Sequence, residues 1–549
     1  MRDMKLTLWP SSPQKCCAAL VWGLIYLVPL IIFAALVKAH ITQNPLRADE
    51  VDYYQSMANV FTLGLPLYYA GEVYYAPEQL LHLSTRPLGP EKKLFHFYRF
   101  KPETGILKET FFALTDDHSR YTYAMWHPPL YVYLGALFLR LFPFPIEASA
   151  QIRYFNLIFT AGILAGMAVL SRQLYPGRAH PTLALAFILY GLNNLAIRGT
   201  ILIDYNATLA PCVAIWFAVA YLESIRHQRG YLSLGLTALV AFATSLGLIV
   251  TLLIGTAIHL LIISRRNRPW RTLLALTAGT LAFLPLFWIA CRLGNLPFSQ
   301  PFLHNFQRAV PSLHLPNLAL GHIFGLYARE VGYAPLWLGA GLTARLLLHR
   351  ETSDRLERAF LPLLMLTGTL IHGVLRAEAY GFPKYILFLL PWLSVYLAGE
   401  SVNWMTERPK PAFARLSIGL ALAIVIAWQG ITSWKALNRP GGTLYFAGEQ
   451  GILAIARRVQ ERTSPDETIL SPKDVAFYAQ RKFVPWPSTF IRDVNVLKDR
   501  LTRGSARVIA INDTWFYAVS PEVASFLDGH FSTEAQEGNF RILIAKDTP

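Results

Sequence analysis

The chain has 549 residues, 54% hydrophobic and only 15% charged, whereas soluble domains carry roughly 25% charged residues; this composition excludes an ordinary soluble protein and marks a membrane protein. The formal charge of +16 does not mark a nucleic-acid binder, because Lys and Arg sit in short clusters between apolar runs, where membrane topology puts them. The four cysteines, Cys16, Cys17, Cys212 and Cys291, lie at or inside apolar segments, so there is no disulfide framework or paired-Cys metal site, and they read as small apolar fillers.

Cys17 to Val37 is uncharged and 21 residues long, longer than the roughly 7–15-residue apolar core of a cleavable signal peptide. It reads as an uncleaved anchor, with Val37-Lys38-Ala39 only a weak peptidase-like site. Further spans are expected near Tyr154, Pro181, Ala207, Tyr231, Gly247, Thr272, Tyr333, Ala359, Tyr385 and Leu416, making eleven with the first. Pro129 to Phe142 is apolar but has only 14 residues. At ~1.5 Å per residue it reaches ~21 Å, short of the ~30 Å hydrocarbon layer, so it should lie at the surface or dip in.

Loop charge agrees. Beyond that segment one alternating set of loops carries fifteen Lys and Arg and the other six, and cytoplasmic loops collect these residues. The basic N-terminus (Arg2, Lys5, Lys15) shares a side with the richer set only if the short segment does not cross. Residues 1–16 are then cytoplasmic and 38–151 extracytoplasmic, and the odd number of crossings in a membrane domain of residues 17–438 leaves 439–549 extracytoplasmic as well.

After Pro440-Gly441-Gly442 the pattern becomes that of a soluble domain. Gln450 to Arg462 predicts an amphipathic helix, Thr468 to Ser471 and Val508 to Ile511 buried strands, Asp493 to Leu501 a helix between them, and Phe540 to Ala545 a last strand. Roughly 110 residues suffice for one small α/β core. The expected fold is an α-helical polytopic membrane protein of about eleven transmembrane helices with a C-terminal soluble α/β domain. The spans carry few ionisable groups; His259 and His372 are the exceptions, each either functional or bonded to a neighbouring helix.

The residues able to do chemistry gather on the outer side. Asp49 and Glu50, in Arg47-Ala48-Asp49-Glu50-Val51-Asp52-Tyr53-Tyr54, follow the first span, and His127-Pro128-Pro129-Leu130 opens the short apolar segment, its prolines suited to a first helical turn. A carboxylate at the membrane surface suits proton acceptance. Arg376 and Lys384 stand in a stretch poor in basic residues and suit a phosphate or snorkelling to lipid headgroups. Asp204 suits sugar binding, a cation or a helix cap, and Asp52 reads as solvated. Gly339-Ala340-Gly341-Leu342-Thr343-Ala344 imitates a dinucleotide fingerprint but has no preceding strand, so it reads as helix packing.

Together, Ala48 to Ala58, His127-Pro128-Pro129-Leu130-Tyr131 and Asp204 resemble the GT-C superfamily of membrane glycosyltransferases, with the protein O-mannosyltransferases and the lipid A aminoarabinose transferases most alike, over roughly residues 20 to 400. The resemblance implies an inverting transfer of a sugar from a polyprenyl-phosphate donor to a lipid, glycan or protein acceptor, on the outer face of a bacterial inner membrane and with no nucleic acid involved. It implies Asp49 as general base, with Glu50 sharing the role or orienting the acceptor, although helix neighbours point about 100° apart. Substrate contacts fall to His127, Tyr53, Asp204, Arg376 and Lys384. No metal site is implied, and a divalent cation stays open as a cofactor. The chain departs from the family in the aromatic and basic stretch from about Ala70 to Met125, which suits a lid or a loop on lipid headgroups. The C-terminal domain is expected to dock the acceptor. A transporter or a non-catalytic scaffold is the alternative; a transporter would show repeats and broken helices, neither evident in the sequence.

Overall fold

The computed structural model describes residues 13–42, 44–47, 49–63, 66–69, 121–123, 128–263, 269–293, 331–348, 355–371, 383–406, 412–437, 451–485, 494–495, 497–498, 501, 507–512, 520–538 and 540–546. His127, Arg376, His372 and most of the Ala70–Met125 stretch lie outside them.

Most of the long apolar runs, two of them carrying an interior proline, Pro29 and Pro285, become helices. These are α1 (Pro13–His40), α2 (Asp49–Leu63), α3 (Leu130–Leu141), α4 (Asn156–Leu174), α5 (Ala179–Gly191), α6 (Asn194–Thr200), α7 (Leu209–His227), α8 (Tyr231–Thr244), α9 (Leu246–Ile263), α10 (Pro269–Leu293), α11 (Tyr333–Leu348), α12 (Phe360–Thr369), α13 (Leu390–Thr406) and α14 (Ala412–Leu437). A helix stands at each of the eleven expected positions. Among the described residues six helices are long and apolar enough to span on their own, or seven if the bent pair α5–α6 counts as one. The chain is a polytopic helical membrane protein.

The short segment forms α3, 12 residues long, which packs on α2. Gly135 permits this, since a Cβ there would meet Sδ of Met57 at 2.4 Å. A 3-10 helix, Ile146–Phe155, then leads directly into α4. Between α5 and α6 the path turns by 71°, a broken helix that the sequence did not reveal. Asn193 starts α6 by accepting the N–H of Leu195 at 2.9 Å, the ordinary N-cap device. The intramembrane His259 is a packed residue: its Nε2 donates to the Leu356 carbonyl at 2.7 Å, and its Nδ1 accepts from the Tyr221 hydroxyl at 2.8 Å.

The C-terminal elements are α15 (Ile452–Arg462), β3 (Thr468–Ser471), α16 (Lys473–Ala479), β4 (Lys482–Pro485), β5 (Val508–Asn512), α17 (Pro521–His530), β6 (Phe531–Glu537) and β7 (Phe540–Ala545). The short strands β1 (Leu67–Tyr69) and β2 (Tyr121–Tyr123) pair separately, ahead of α3. β3 to β7 form one sheet in the order β4-β3-β5-β7-β6, parallel from β4 to β5 and antiparallel from β5 to β6. In α15 the buried residues are Ile452, Ile455, Ala456 and Val459, the one-sided spacing of a helix that covers a core. α16 rests against α2. The sheet domain and the acidic helix therefore pack together. Asp52 is not solvated as expected: Lys473 of α16 forms an ion pair with it, and the Asp52 side chain is 18% exposed.

Candidate active site

α2 begins at Asp49, with Glu50 and Asp52 also in its first turn, where negative charge complements the helix N-terminus. Three segments far apart in sequence meet there. Lys384, in the 3-10 helix Pro383–Leu389 that precedes α13, donates from Nζ to Oδ2 of Asp49 at 3.1 Å and to Oδ2 of Asp204 at 2.7 Å. The Lys384 and Asp204 side chains are 6% and 1% exposed, while Asp49 is 51% exposed. The cluster thus has a buried floor and one open carboxylate.

Asp204 is held from its other side. Its Oδ1 accepts from the backbone N–H of Asn206 at 2.8 Å and from Asn206 Nδ2 at 3.0 Å, a local turn typical of Asp. The loop that carries it, between α6 and α7, is tied to α4 by Asn156. Its Nδ2 donates to the carbonyls of Thr200 (3.0 Å) and Leu202 (2.7 Å), while its Oδ1 accepts from the hydroxyls of Tyr131 (2.8 Å) and Thr208 (3.0 Å). One buried amide uses its full bonding capacity to join α3, α4 and the Asp204 loop.

Tyr53, one helical turn beyond Asp49, meets Tyr131 edge-to-face at 5.6 Å. Burial, and then the charge of Asp204, hold its phenol well above the usual value of 10. Tyr53 is therefore a neutral hydroxyl in the electrostatic field of the cluster.

Glu50 is placed differently from Asp49. Arg153, in the 3-10 helix ahead of α4, grips it with two bonds, Nε to Oε1 at 3.0 Å and Nη2 to Oε2 at 2.7 Å. The backbone N–H of Ile203 adds a third, to Oε1, at 3.0 Å. Arg153 also donates to the carbonyls of Ile41, Asn44 and Pro45 at 3.2, 2.6 and 3.1 Å. Both side chains are at most 5% exposed. The expectation that Glu50 shares proton acceptance or orients the acceptor is corrected by this placement: both oxygens are committed to a buried pair that fixes the approach to α2. Helix geometry is the reason, since it turns adjacent side chains to different faces.

No family model matches the sequence, and no curated protein matches it either. Among solved structures, ArnT from Cupriavidus metallidurans bound to undecaprenyl phosphate is similar at a TM-score of 0.56 and 13% identity, over 96% of this chain and 98% of that one. Its apo state is similar at 0.56 and 14%, with the same coverage. The chain has the GT-C fold. The oligosaccharyltransferase of Archaeoglobus fulgidus, in complex with Zn and sulfate, also matches, at 0.48 and 12% over 94% of this chain and 72% of that one.

Within the GT-C fold the structure brings together four of the expected site residues, Asp49, Asp204, Lys384 and Tyr53, and puts Glu50 into the supporting framework. His127 and Arg376 lie outside the described residues. Arg153 and Asn156 were missed by sequence reasoning. A signal existed for Arg153, a charge on the run into an apolar span, where it must find a partner; Asn156 gave none. Among the described residues no three His, Cys, Asp or Glu side chains gather as metal ligands. The Lys384 ammonium stands between the carboxylates of Asp49 and Asp204.

Proposed function

We propose that this chain is a glycosyltransferase that moves a sugar from a polyprenyl-phosphate donor to an acceptor of the cell envelope, at the membrane face bearing α2 and the sheet domain. The observation that carries this reading is the Lys384 ammonium shared between half-open Asp49 and buried Asp204. Support comes also from the fold, since ArnT of the same architecture binds undecaprenyl phosphate.

In this reading the acceptor hydroxyl attacks the anomeric carbon while Asp49 takes its proton, and the bond from that carbon to the phosphate oxygen breaks. Charge then grows on the departing polyprenyl phosphate, and a preorganised cation is what stabilises it. Lys384 supplies that cation, with Asp204 as its fixed anchor. While Lys384 rests on Asp49 the carboxylate is a poor base; drawing the ammonium toward the donor phosphate releases it. Proton acceptance is thereby tied to donor arrival. This reading takes the transfer as a single, inverting displacement, and the burial of the Glu50 and Asp204 carboxylates supports it. A double displacement needs a second one as nucleophile, and both Glu50 and Asp204 are buried and bonded on each oxygen. With the Lys384 ammonium between Asp49 and Asp204, this reading routes no step through a metal.

Mass spectrometry of envelope lipids and glycans in a strain lacking the protein tests the reading. One sugar-bearing species should disappear and return on complementation with the wild type; an unchanged envelope would overturn it. In the same strain Lys384→Ala should fail to complement and Lys384→Arg should do so in part, since charge persists while geometry changes.

A further inference from the structure

Every residue assigned above lies before position 400, yet the segment that presents Asp49 is held from the C-terminal domain as well. On one side Arg153 grips the carbonyls of Ile41, Asn44 and Pro45. On the other stands α16. The backbone N–H of Leu46 donates to the hydroxyl of Tyr478 at 2.5 Å, and that hydroxyl also shares a hydrogen bond with Ser149 Oγ at 3.2 Å. Leu46 is fully buried with α16 in place, so loss of the Tyr478 hydroxyl alone leaves its N–H without this partner. Lys473 pairs with Asp52, one helical turn from Asp49, and Phe477 packs edge-to-face on Tyr54 at 5.6 Å. Residues 46, 52 and 54 are thus all seated on one seven-residue helix of the sheet domain, and Asp49 lies between them.

We infer that Tyr478 and Lys473 are positioning residues for Asp49, so that the C-terminal domain is part of the scaffold of the active site and not only a dock for the acceptor. This rests on the glycosyltransferase reading for the role of Asp49, but not for the geometry. Tyr478 fixes the turn before the helix, Lys473 fixes its first turn, and a base displaced by about 1 Å can lose about 10²-fold in rate. A transferase built this way needs its soluble domain seated to react at all, including with water as the acceptor.

The test uses the full-length protein in lipid nanodiscs and the variant Tyr478→Phe/Lys473→Met. The first readout is independent of activity: labelling of Asp49 by a water-soluble carbodiimide and an amine, followed by peptide mass spectrometry. Labelling of Asp49 is expected to change severalfold in the double variant while Asp204 stays unlabelled and undecaprenyl phosphate, used as the binding probe, still binds. The second readout is turnover, with envelope extract as the source of donor and acceptor. There kcat is expected to fall about tenfold or more, with the donor KM within about twofold, and reversion to Tyr478 with Lys473→Arg is expected to recover most of it. Unchanged Asp49 labelling in the folded double variant overturns the inference, as does wild-type kcat. Loss of undecaprenyl phosphate binding along with kcat also overturns it, because the effect would then be collapse of the fold. If the wild type itself makes no product while the labelling changes as expected, the positioning stands and the glycosyltransferase reading is what fails.

Discussion

Asp49 and Glu50 are chain neighbours in opposite circumstances, one half exposed beside an ammonium and the other sealed against a guanidinium. Neutralising the sealed one leaves Arg153 buried without its counter-charge, and breaking a buried pair in this way costs about 3–5 kcal/mol. Glu50→Gln is therefore expected to lower the Tm markedly, in thermal unfolding followed by tryptophan fluorescence; a variant with wild-type Tm would show that the pair does not support the fold. Asp52 gives a pH dependence. Burial lifts its carboxyl from the usual 3.8 to about 6, even against the opposing pull of Lys473. A carboxyl raised on folding contributes stability that is present below its unfolded value and lost as pH rises through the folded one. The wild-type Tm, measured relative to that of Asp52→Asn, should thus rise as pH is lowered through about 6. A difference that stays flat across that range would mean that Asp52 does not titrate there.

At the scale of elements, the membrane helices were legible because length and apolarity alone decide them: α1, α4 and α14 stand where uncharged runs predicted spans, and α3 is too short for one. Strands β3 and β7 were legible through their runs of Ile and Leu. α16 was not, since Lys473-Asp474-Val475-Ala476-Phe477-Tyr478-Ala479 is covered on more than one face and so shows no one-sided period; Asp474 to Ala479 are all buried. β6 was hidden for the converse reason. It reads Phe531-Ser532-Thr533-Glu534-Ala535-Gln536-Glu537, a polar edge strand, with charge placed where edges avoid further pairing. The bend between α5 and α6 serves the Asp204 loop, which hangs on Asn156. Asn156→Leu abolishes four hydrogen bonds, each buried group left behind costing about 1–3 kcal/mol, and is expected to reduce Tm and turnover together. Reduced turnover at unchanged Tm would show that Asn156 acts on chemistry and not on the loop.

For the whole molecule, the catalytic candidates were readable as residue types at one membrane level, but their supports were not. Arg153 reaches back to Glu50 across 103 positions and Tyr478 to Leu46 across 432, distances over which no periodicity in a single sequence carries information. The docking of α16 on α2 joins the sheet domain to the site, and the bias of the loop charges leads to the expectation that this face is the outer one. Alkaline phosphatase fused after Leu437 should accordingly be active; an inactive fusion in a stably expressed chain would reverse the orientation. The central claim is that the carboxylate left open by the Lys384–Asp204 pair takes the acceptor proton. Turnover of Asp49→Asn, which keeps the shape of the side chain but cannot accept a proton, measures this most directly. A general base contributes about 10²–10⁴-fold, so turnover should fall at least about 10²-fold while undecaprenyl phosphate still binds, and wild-type turnover in a folded Asp49→Asn protein would contradict the account.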